Sequence, residues 1–398
     1  MKTHDTTYLI VGGGMAADAA IRELCSHNPE ANITLISAES TLPYDRPPLS
    51  KDLLTDSETT PSDIVHDPEP YSQQVTTFLG RKVEFLAPDA HSVRDSEGNT
   101  HTYKKLLLAT GGSPRTLDGD SDLALYFRTL SDFKHVQQSI ALEQRVAVIG
   151  GGFIGSEIAA SLSETACDPF MIFPGDHIGA GRFPEDLGRR INETYRENGV
   201  DLLPGQRVTQ IEKTADGLRL STDGNGRYAA DTAIAGLGIR PNTELAEQAG
   251  LTVDDGIRVN EHLQTSHPDI YAAGDVASAY RKSLDRYERV EHEMNAIEMG
   301  KAAGKAMAGK EVNFETLPLY YSDLFDDGFE AVGDLDTSLE VVEDWQDENK
   351  AVIYYLKNQH VRGVLCWNIF GKTDEARALM QDGGTIDAED LPGHITAA

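Results

Sequence analysis

Two short glycine-rich runs are the residues of this sequence best suited to chemistry. Gly12-Gly13-Gly14-Met15-Ala16-Ala17 fits the pattern G-x-G-x-x-A, and Gly150-Gly151-Gly152-Phe153-Ile154-Gly155 fits G-x-G-x-x-G. In such a run the first glycine permits a tight turn. The second lets the backbone approach a pyrophosphate, and the small third residue lets helix and strand pack closely. The helix that starts there turns free N–H groups and a partial positive charge toward the phosphates. Glu39 follows the apolar run NITLIS (32–37), where a carboxylate can accept hydrogen bonds from a ribose diol. After the second run comes FPGDH (173–177). An NADP site calls for an arginine there to hold the 2′-phosphate, yet the first arginine is Arg182, and Asp176 would repel that phosphate. The usual acid position is taken by Gly175, with the acid one place later. The second run therefore favours NADH over NADPH. Two dinucleotides on one chain suit electron transfer between them.

The elements that must carry these turns form an internal repeat. YLIVGGGMAADAAIREL (8–24) and VAVIGGGFIGSEIAASL (146–162) each read as apolar strand, glycine turn and small-residue helix. Each leads to another apolar strand, NITLIS (32–37) and PFMIF (169–173), which is a βαβ unit written twice. KLLLATGGSPR (105–115), TAIAGLGIRPN (232–242) and DIYAAGDVA (269–277) read as further strands, and 295–309 as a helix. The economical division inserts the second unit into the first: one domain over 1–115 and 240–314, a second over 116–239. The tail, 315–398, reads as a third, small α+β domain. It has two β-rich runs around Asn358-Gln359, a hairpin signal, and a short helix over 372–380.

Length and composition set the class. A chain of 398 residues with 39% hydrophobic and 25% charged residues is a globular protein of about two to three domains. No apolar run approaches the roughly 18 residues that cross a bilayer. The opening MKTHDTTYLIVGGG lacks the apolar stretch of a signal peptide, so a cytoplasmic location without membrane insertion is expected. The net charge of −30, from 65 acids against 35 bases, repels nucleic acid and anionic membranes. It has two readings: tolerance of high salt, or a docking surface for a basic partner. The tail carries 18 acids and 5 bases and is the most acidic part. Cys25, Cys167 and Cys366 form no close pair, so they read as packing residues, and no metal site is expected.

With these elements placed, the chain resembles the ferredoxin reductase-like flavoproteins of the pyridine nucleotide reductase superfamily. Its nearest branches are apoptosis-inducing factor and the reductases of aromatic-ring dioxygenases. The motifs that carry the resemblance are PYDRPPLSK (43–51), LATG (108–111), GGGFIGSEIA (150–159), YAAGDVA (271–277), RVEHEMNA (289–296) and YYSDLFDDGFEAVG (320–333). They span essentially the whole chain, and their order is far more specific than either glycine run. The fold implied is α/β: two Rossmann-like dinucleotide-binding domains in the glutathione reductase-like arrangement, the NAD domain inserted in the FAD domain, plus the C-terminal domain.

The resemblance also implies roles. FAD belongs on the first run and NADH on the second. Arg46 and Lys51 are expected beside the flavin, with Pro47 shaping its wall. Glu157 is expected to pair with Lys51 near flavin N5, where an ammonium offsets the charge of a reduced flavin. Phe153 matches an aromatic that lies over the flavin and gives way to nicotinamide, or else packs in the core. Asp275, after Gly274, is expected on the ribityl chain, and Thr110 and Gly111 close to the flavin. Val83 is expected to contact adenine through its backbone. Gly12, Gly14, Met15, Ala16, Glu39, Ala109, Arg115, Gly150, Gly152, Ile154, Gly155 and Gly238 complete the cofactor-binding set.

Two departures mark the chain as intermediate. RVEHEMNA keeps Glu291 and His292 as in apoptosis-inducing factor, but Asn295 as in the dioxygenase reductases. His292 reads as a proton donor or as a stacking residue. Tyr321 stands where both branches carry tryptophan, which preserves stacking and adds a phenol. Disulfide reductases of the superfamily have cysteine soon after the first βαβ, whereas TLPYDRPPLSKDLL (41–54) has none. Three functional readings follow. The first is an FAD-dependent NADH oxidoreductase with quinone, dye or oxygen as acceptor. The second delivers electrons to an iron–sulfur partner such as a ferredoxin or rubredoxin. The third is a redox-responsive scaffold with slow turnover. The C-terminal domain is also open to forming a homodimer.

Overall fold

Strand Tyr8–Val11 is buried at all four positions, as a strand covered on both faces must be. It sits at the centre of a parallel sheet in the order Ile270–Ala272, Lys105–Leu108, Tyr8–Val11, Ile33–Ser37, Val75–Leu79. The computed structural model describes residues 2–56, 58–66, 74–118, 121–140, 144–282, 284–381 and 384–397. These fall into two compact units. The first comprises Met1–Asp45, Ser62–Ser113 and Arg240–Pro318, and the second Arg46–Pro61, Pro114–Ile239 and Leu319–Ala398.

In the first unit, helix Met15–His27 follows the central strand, and helix Glu293–Met307 packs on it. Small residues bring the two helices close: a Cβ on Gly300 would meet the Ala16 carbonyl oxygen at 2.3 Å. Two smaller sheets complete this unit, one over Thr3–Asp5, Thr100–Thr102, Ser92–Asp95 and Val83–Ala87, the other over residues 253–288.

The second unit repeats the theme. Its parallel sheet runs Leu125–Tyr126, Thr232–Ala235, Arg145–Ile149, Asp168–Ile172, Asp201–Leu203. Helix Phe153–Ser163 follows the central strand. Residues 319–367 form a five-stranded antiparallel sheet, backed by helix Thr373–Gln381. Its hairpin turns at Asn358 and Gln359, whose φ values of 52° and 63° suit a two-residue turn with both central residues left-handed.

Residues 46–61 group with the second unit, and so do residues 319–398, whose five-stranded sheet and helix form a body of their own within it. Side-chain and backbone contacts explain both. The Ser161 hydroxyl donates to the Ser50 carbonyl at 2.7 Å, tying the 46–61 segment to helix Phe153–Ser163. The Arg190 guanidinium lies 4.3 Å from the Trp345 ring centroid, and Thr337 N–H donates to the Gly181 carbonyl at 3.0 Å. Among the described residues no helix is long and apolar enough to cross a membrane.

Candidate active site

The first glycine run sits in the first unit. Gly12 has φ +112°, and a Cβ there would meet the Ala109 carbonyl oxygen at 2.1 Å, so no side chain fits. Gly14 is the N-cap of helix Met15–His27 and brings no capping side chain, which leaves first-turn N–H groups for an outside acceptor. Met15 and Ala16, next in line, are buried. Gly274, with φ +77°, approaches Ala16 at the end of strand Ile270–Ala272, so Asp275 follows beside the same helix start. Glu39 lies past the second strand, where its carboxylate accepts from the buried Tyr44 hydroxyl. Val83 is buried at the start of its strand. A narrow turn, free N–H groups and an acid at the strand end fit the diphosphate and ribose of FAD.

The remaining first-unit candidates are braced. Thr110 donates its hydroxyl to the Asn242 carbonyl at 2.9 Å, while the Asn242 side chain donates to the Thr110 carbonyl at 2.8 Å and its N–H to the Gly111 carbonyl. Glu291 is held by Arg289 at 2.6 Å. His292 is the N-cap of helix Glu293–Met307: its Nδ1 accepts the Met294 N–H at 3.3 Å. Asn295 is buried, accepting from Arg281 at 2.7 Å.

The second unit holds the other run and the charged pair. Gly150 has φ +116°, and a Cβ there would meet the Gly236 carbonyl oxygen at 2.3 Å. Gly152 is the N-cap of helix Phe153–Ser163 and has open space where a Cβ would point. Gly155 packs against the Gly150 carbonyl, and Ile154 is 40% exposed. A cleft opens at this helix start, bordered by Gly152, Phe153, Ser156, Gly179 and Arg182. Arg115 and Gly238 meet: Arg115 N–H donates to the Gly238 carbonyl at 2.9 Å, and its Nε to the Ile239 carbonyl at 3.1 Å.

Lys51 Nζ lies 3.7 Å from Glu157 Oε1 and 3.2 Å from Asp323 Oδ2, and 5.8 Å from the Tyr321 ring centroid. The expected Lys51–Glu157 pair is therefore present, but shared with a second carboxylate. Glu157 in turn accepts one hydroxyl on each oxygen, from Ser50 at 2.8 Å and Ser322 at 2.9 Å. Arg46 donates to the Arg128 carbonyl at 2.6 Å, and Pro47 opens the short 3₁₀ turn Pro47–Ser50 that delivers Lys51. Ser50, Ser322, Asp323, Tyr44 and Asn242 were all missed by sequence reasoning. Tyr44 and Ser50 lie in the quoted motif 43–51, and Ser322 and Asp323 in 320–333, but none was singled out.

One partly buried charge cluster was also missed. His66 Nε2 lies 2.7 Å from Asp45 Oδ1, and its Nδ1 lies 2.8 Å from Asp18 Oδ2, though off the line of its N–H. Mainly through Asp18, with Asp45 assisting against burial, the imidazole is raised to about 8. Asp18 belongs to the first turn of helix Met15–His27, and Asp45 immediately precedes Arg46. All three cysteines are free thiols, and burial pushes the Cys366 thiol up to about 12.

Known proteins resemble this arrangement. Residues 6–300 match the family described as pyridine nucleotide-disulphide oxidoreductase, and 342–382 match the C-terminal region of apoptosis-inducing factor, mitochondrion-associated. The ferredoxin–NAD(+) reductase component of the anthranilate 1,2-dioxygenase system of Burkholderia cepacia is 34% identical, over 82% of this chain and 81% of that protein. Mitochondrial apoptosis-inducing factor 1 of Dictyostelium discoideum is 33% identical, over 96% of this chain and 79% of that one. A chain of the covalent putidaredoxin reductase–putidaredoxin complex superposes with a TM-score of 0.89 at 29% identity, covering 96% of this chain and 95% of its own.

Proposed function

This chain belongs to the pyridine nucleotide-disulphide oxidoreductase family and is an FAD-dependent NAD(P)H oxidoreductase, and we propose that it delivers electrons from NADH to a ferredoxin-type iron–sulfur protein. The broader reading, NADH to an unspecified acceptor, contains this one. The relatives favour the iron–sulfur acceptor, because the Burkholderia protein is a ferredoxin–NAD(+) reductase and the superposed chain comes from a complex with putidaredoxin. A cytoplasmic location and a homodimer through the C-terminal domain, whose Phe370 is 58% exposed, belong to the same proposal.

The observation that carries the reading is Lys51, set between Glu157 and Asp323 at 3.7 and 3.2 Å. Gly12, Gly14, Met15, Ala16, Glu39, Val83, Ala109, Thr110, Gly111, Gly274 and Asp275 would hold FAD. FAD supplies an acceptor for hydride at N5 and a donor that releases electrons one at a time. Beside a flavin, the Lys51 ammonium would offset the negative charge that grows on reduction. Glu157, fixed by Ser50 and Ser322, keeps that ammonium oriented. Gly150, Gly152, Ile154 and Gly155 would receive the NADH diphosphate, and exposed Asp176 would disfavour a 2′-phosphate. No cysteine stands in 41–54 to pass electrons to a disulfide.

Phe153, Glu291 and the match over 342–382 favour a second reading, a scaffold of the apoptosis-inducing factor kind with slow turnover. Steady-state NADH oxidation separates the two. Fast turnover that requires an added ferredoxin supports the first. A long-lived reduced complex with a change in oligomeric state supports the second.

A further inference from the structure

The cleft at the second glycine run has one charged side chain among its described lining residues, Arg182. Its guanidinium carbon lies 5.3 Å from the Phe153 ring centroid, a cation–π contact on the first residue of helix Phe153–Ser163. Among the described residues no carboxylate is bonded to this guanidinium, in a chain with 65 acids and 35 bases. The Arg182 backbone, by contrast, is pinned. Its N–H donates to the Gly179 carbonyl at 2.9 Å, its carbonyl accepts the Tyr355 hydroxyl at 2.5 Å, and the neighbouring Gly181 carbonyl accepts the Thr337 N–H. The backbone is fixed and the exposed side chain can swing. Phe153 rests on Phe329 from its other neighbours, with ring centroids 5.9 Å apart.

A guanidinium is the side chain best shaped for a diphosphate, and a charge-assisted bond to phosphate outweighs an exposed cation–π contact. The same group therefore faces two competing partners: the Phe153 ring and an anion at the Gly150–Gly155 turn. We propose that Arg182 binds the NADH diphosphate and in doing so lets go of Phe153, so that arrival of the dinucleotide frees the ring to move. This rests on the second run being the NADH site. It assigns the dinucleotide grip to a residue outside the glycine run and makes Phe153 mobility a consequence of binding.

The test uses the flavin-loaded protein and ADP-ribose, which carries the diphosphate without nicotinamide, as competitive inhibitor of NADH. Arg182→Ala is expected to raise the ADP-ribose inhibition constant about tenfold or more, and Arg182→Lys to restore most of that loss. Phe153→Leu removes the competing partner and is expected to tighten ADP-ribose by roughly two- to fivefold when Arg182 is present, with no gain in the Arg182→Ala background. An unchanged constant in Arg182→Ala, or additive effects of the two substitutions, would overturn the inference while leaving the functional reading standing. Failure of NADH to reduce the wild-type flavin would overturn both.

Discussion

The two glycine runs share one backbone device and differ in everything around it. In each, the first glycine takes a positive φ and leaves no room for a Cβ beneath the carbonyl of a neighbouring strand end, Ala109 or Gly236. Beyond that they part. Behind the first run Met15 and Ala16 are each 6% exposed, an acid caps the strand end, and the His66–Asp18–Asp45 cluster braces the helix start. Behind the second run Ile154 is 40% exposed, and the one charged side chain among the described residues lining the cleft is an arginine on a pinned loop. An enclosed turn suits a resident cofactor, which exchanges slowly. An open one suits a substrate that must leave each cycle. On the proposed assignment the same motif serves two residence times, and its surroundings set which.

Substitutions that exchange the two roles give the largest effects. Gly12→Val, whose side chain meets the Ala109 carbonyl, is expected to yield protein without flavin absorbance. Gly150→Val is expected to keep the flavin and lose about a hundredfold or more in kcat/KM for NADH, as measured by anaerobic flavin reduction. Flavin loss in both variants would erase the distinction drawn between the runs.

Next in size comes the charged pair. Lys51→Ala is expected to slow flavin reduction by NADH about a hundredfold. Asp323→Asn is expected to change it by about threefold or less, because that carboxylate is 67% exposed and screened by solvent. Equal losses in the two would assign orientation of Lys51 to Asp323 rather than Glu157.

A smaller effect tests the brace behind the first run. His66 is raised above its ordinary value of 6.5 to about 8. A group raised on folding contributes fully below its unfolded value and loses its contribution as pH rises through the folded one. Thermal stability of the flavin-loaded protein is therefore expected to fall between about pH 6.5 and 8.5, by on the order of 1 kcal/mol once solvent screening of the exposed Asp45 is allowed for. His66→Gln should flatten that slope. A slope of equal steepness in the variant would place its origin elsewhere.

The smallest effect concerns the acceptor. With a net charge of −30, this protein repels an acidic ferredoxin, so the rate of electron delivery is expected to rise with ionic strength. A rate that falls with salt would point to a local basic docking patch.

These comparisons also mark what sequence could and could not disclose. The runs, their strands and the Asn358-Gln359 hairpin were legible because each is specified within a few consecutive residues. Fold class followed from the repeated βαβ order. The support around Glu157 was not legible: Ser50 and Ser322 lie 107 and 165 positions away from it, and no local pattern pairs a serine with a distant carboxylate. Grouping of residues 46–61 with the second unit had the same cause, since it depends on contacts such as Ser161 to Ser50. In sequence His292 reads as a proton donor or a stacking ring. Its place as N-cap of Glu293–Met307 gives a structural reason for a side-chain acceptor there.

The central claim is electron flow from NADH through FAD to an iron–sulfur protein. Double-mixing stopped flow under anaerobic conditions tests it most directly. NADH first reduces the flavin-loaded protein, and oxidised ferredoxin is then added while flavin absorbance is followed. The account predicts rapid bleaching by NADH, then recovery much faster with ferredoxin than with quinone or oxygen. Bleaching that fails with NADH, or recovery that ignores ferredoxin, would contradict it.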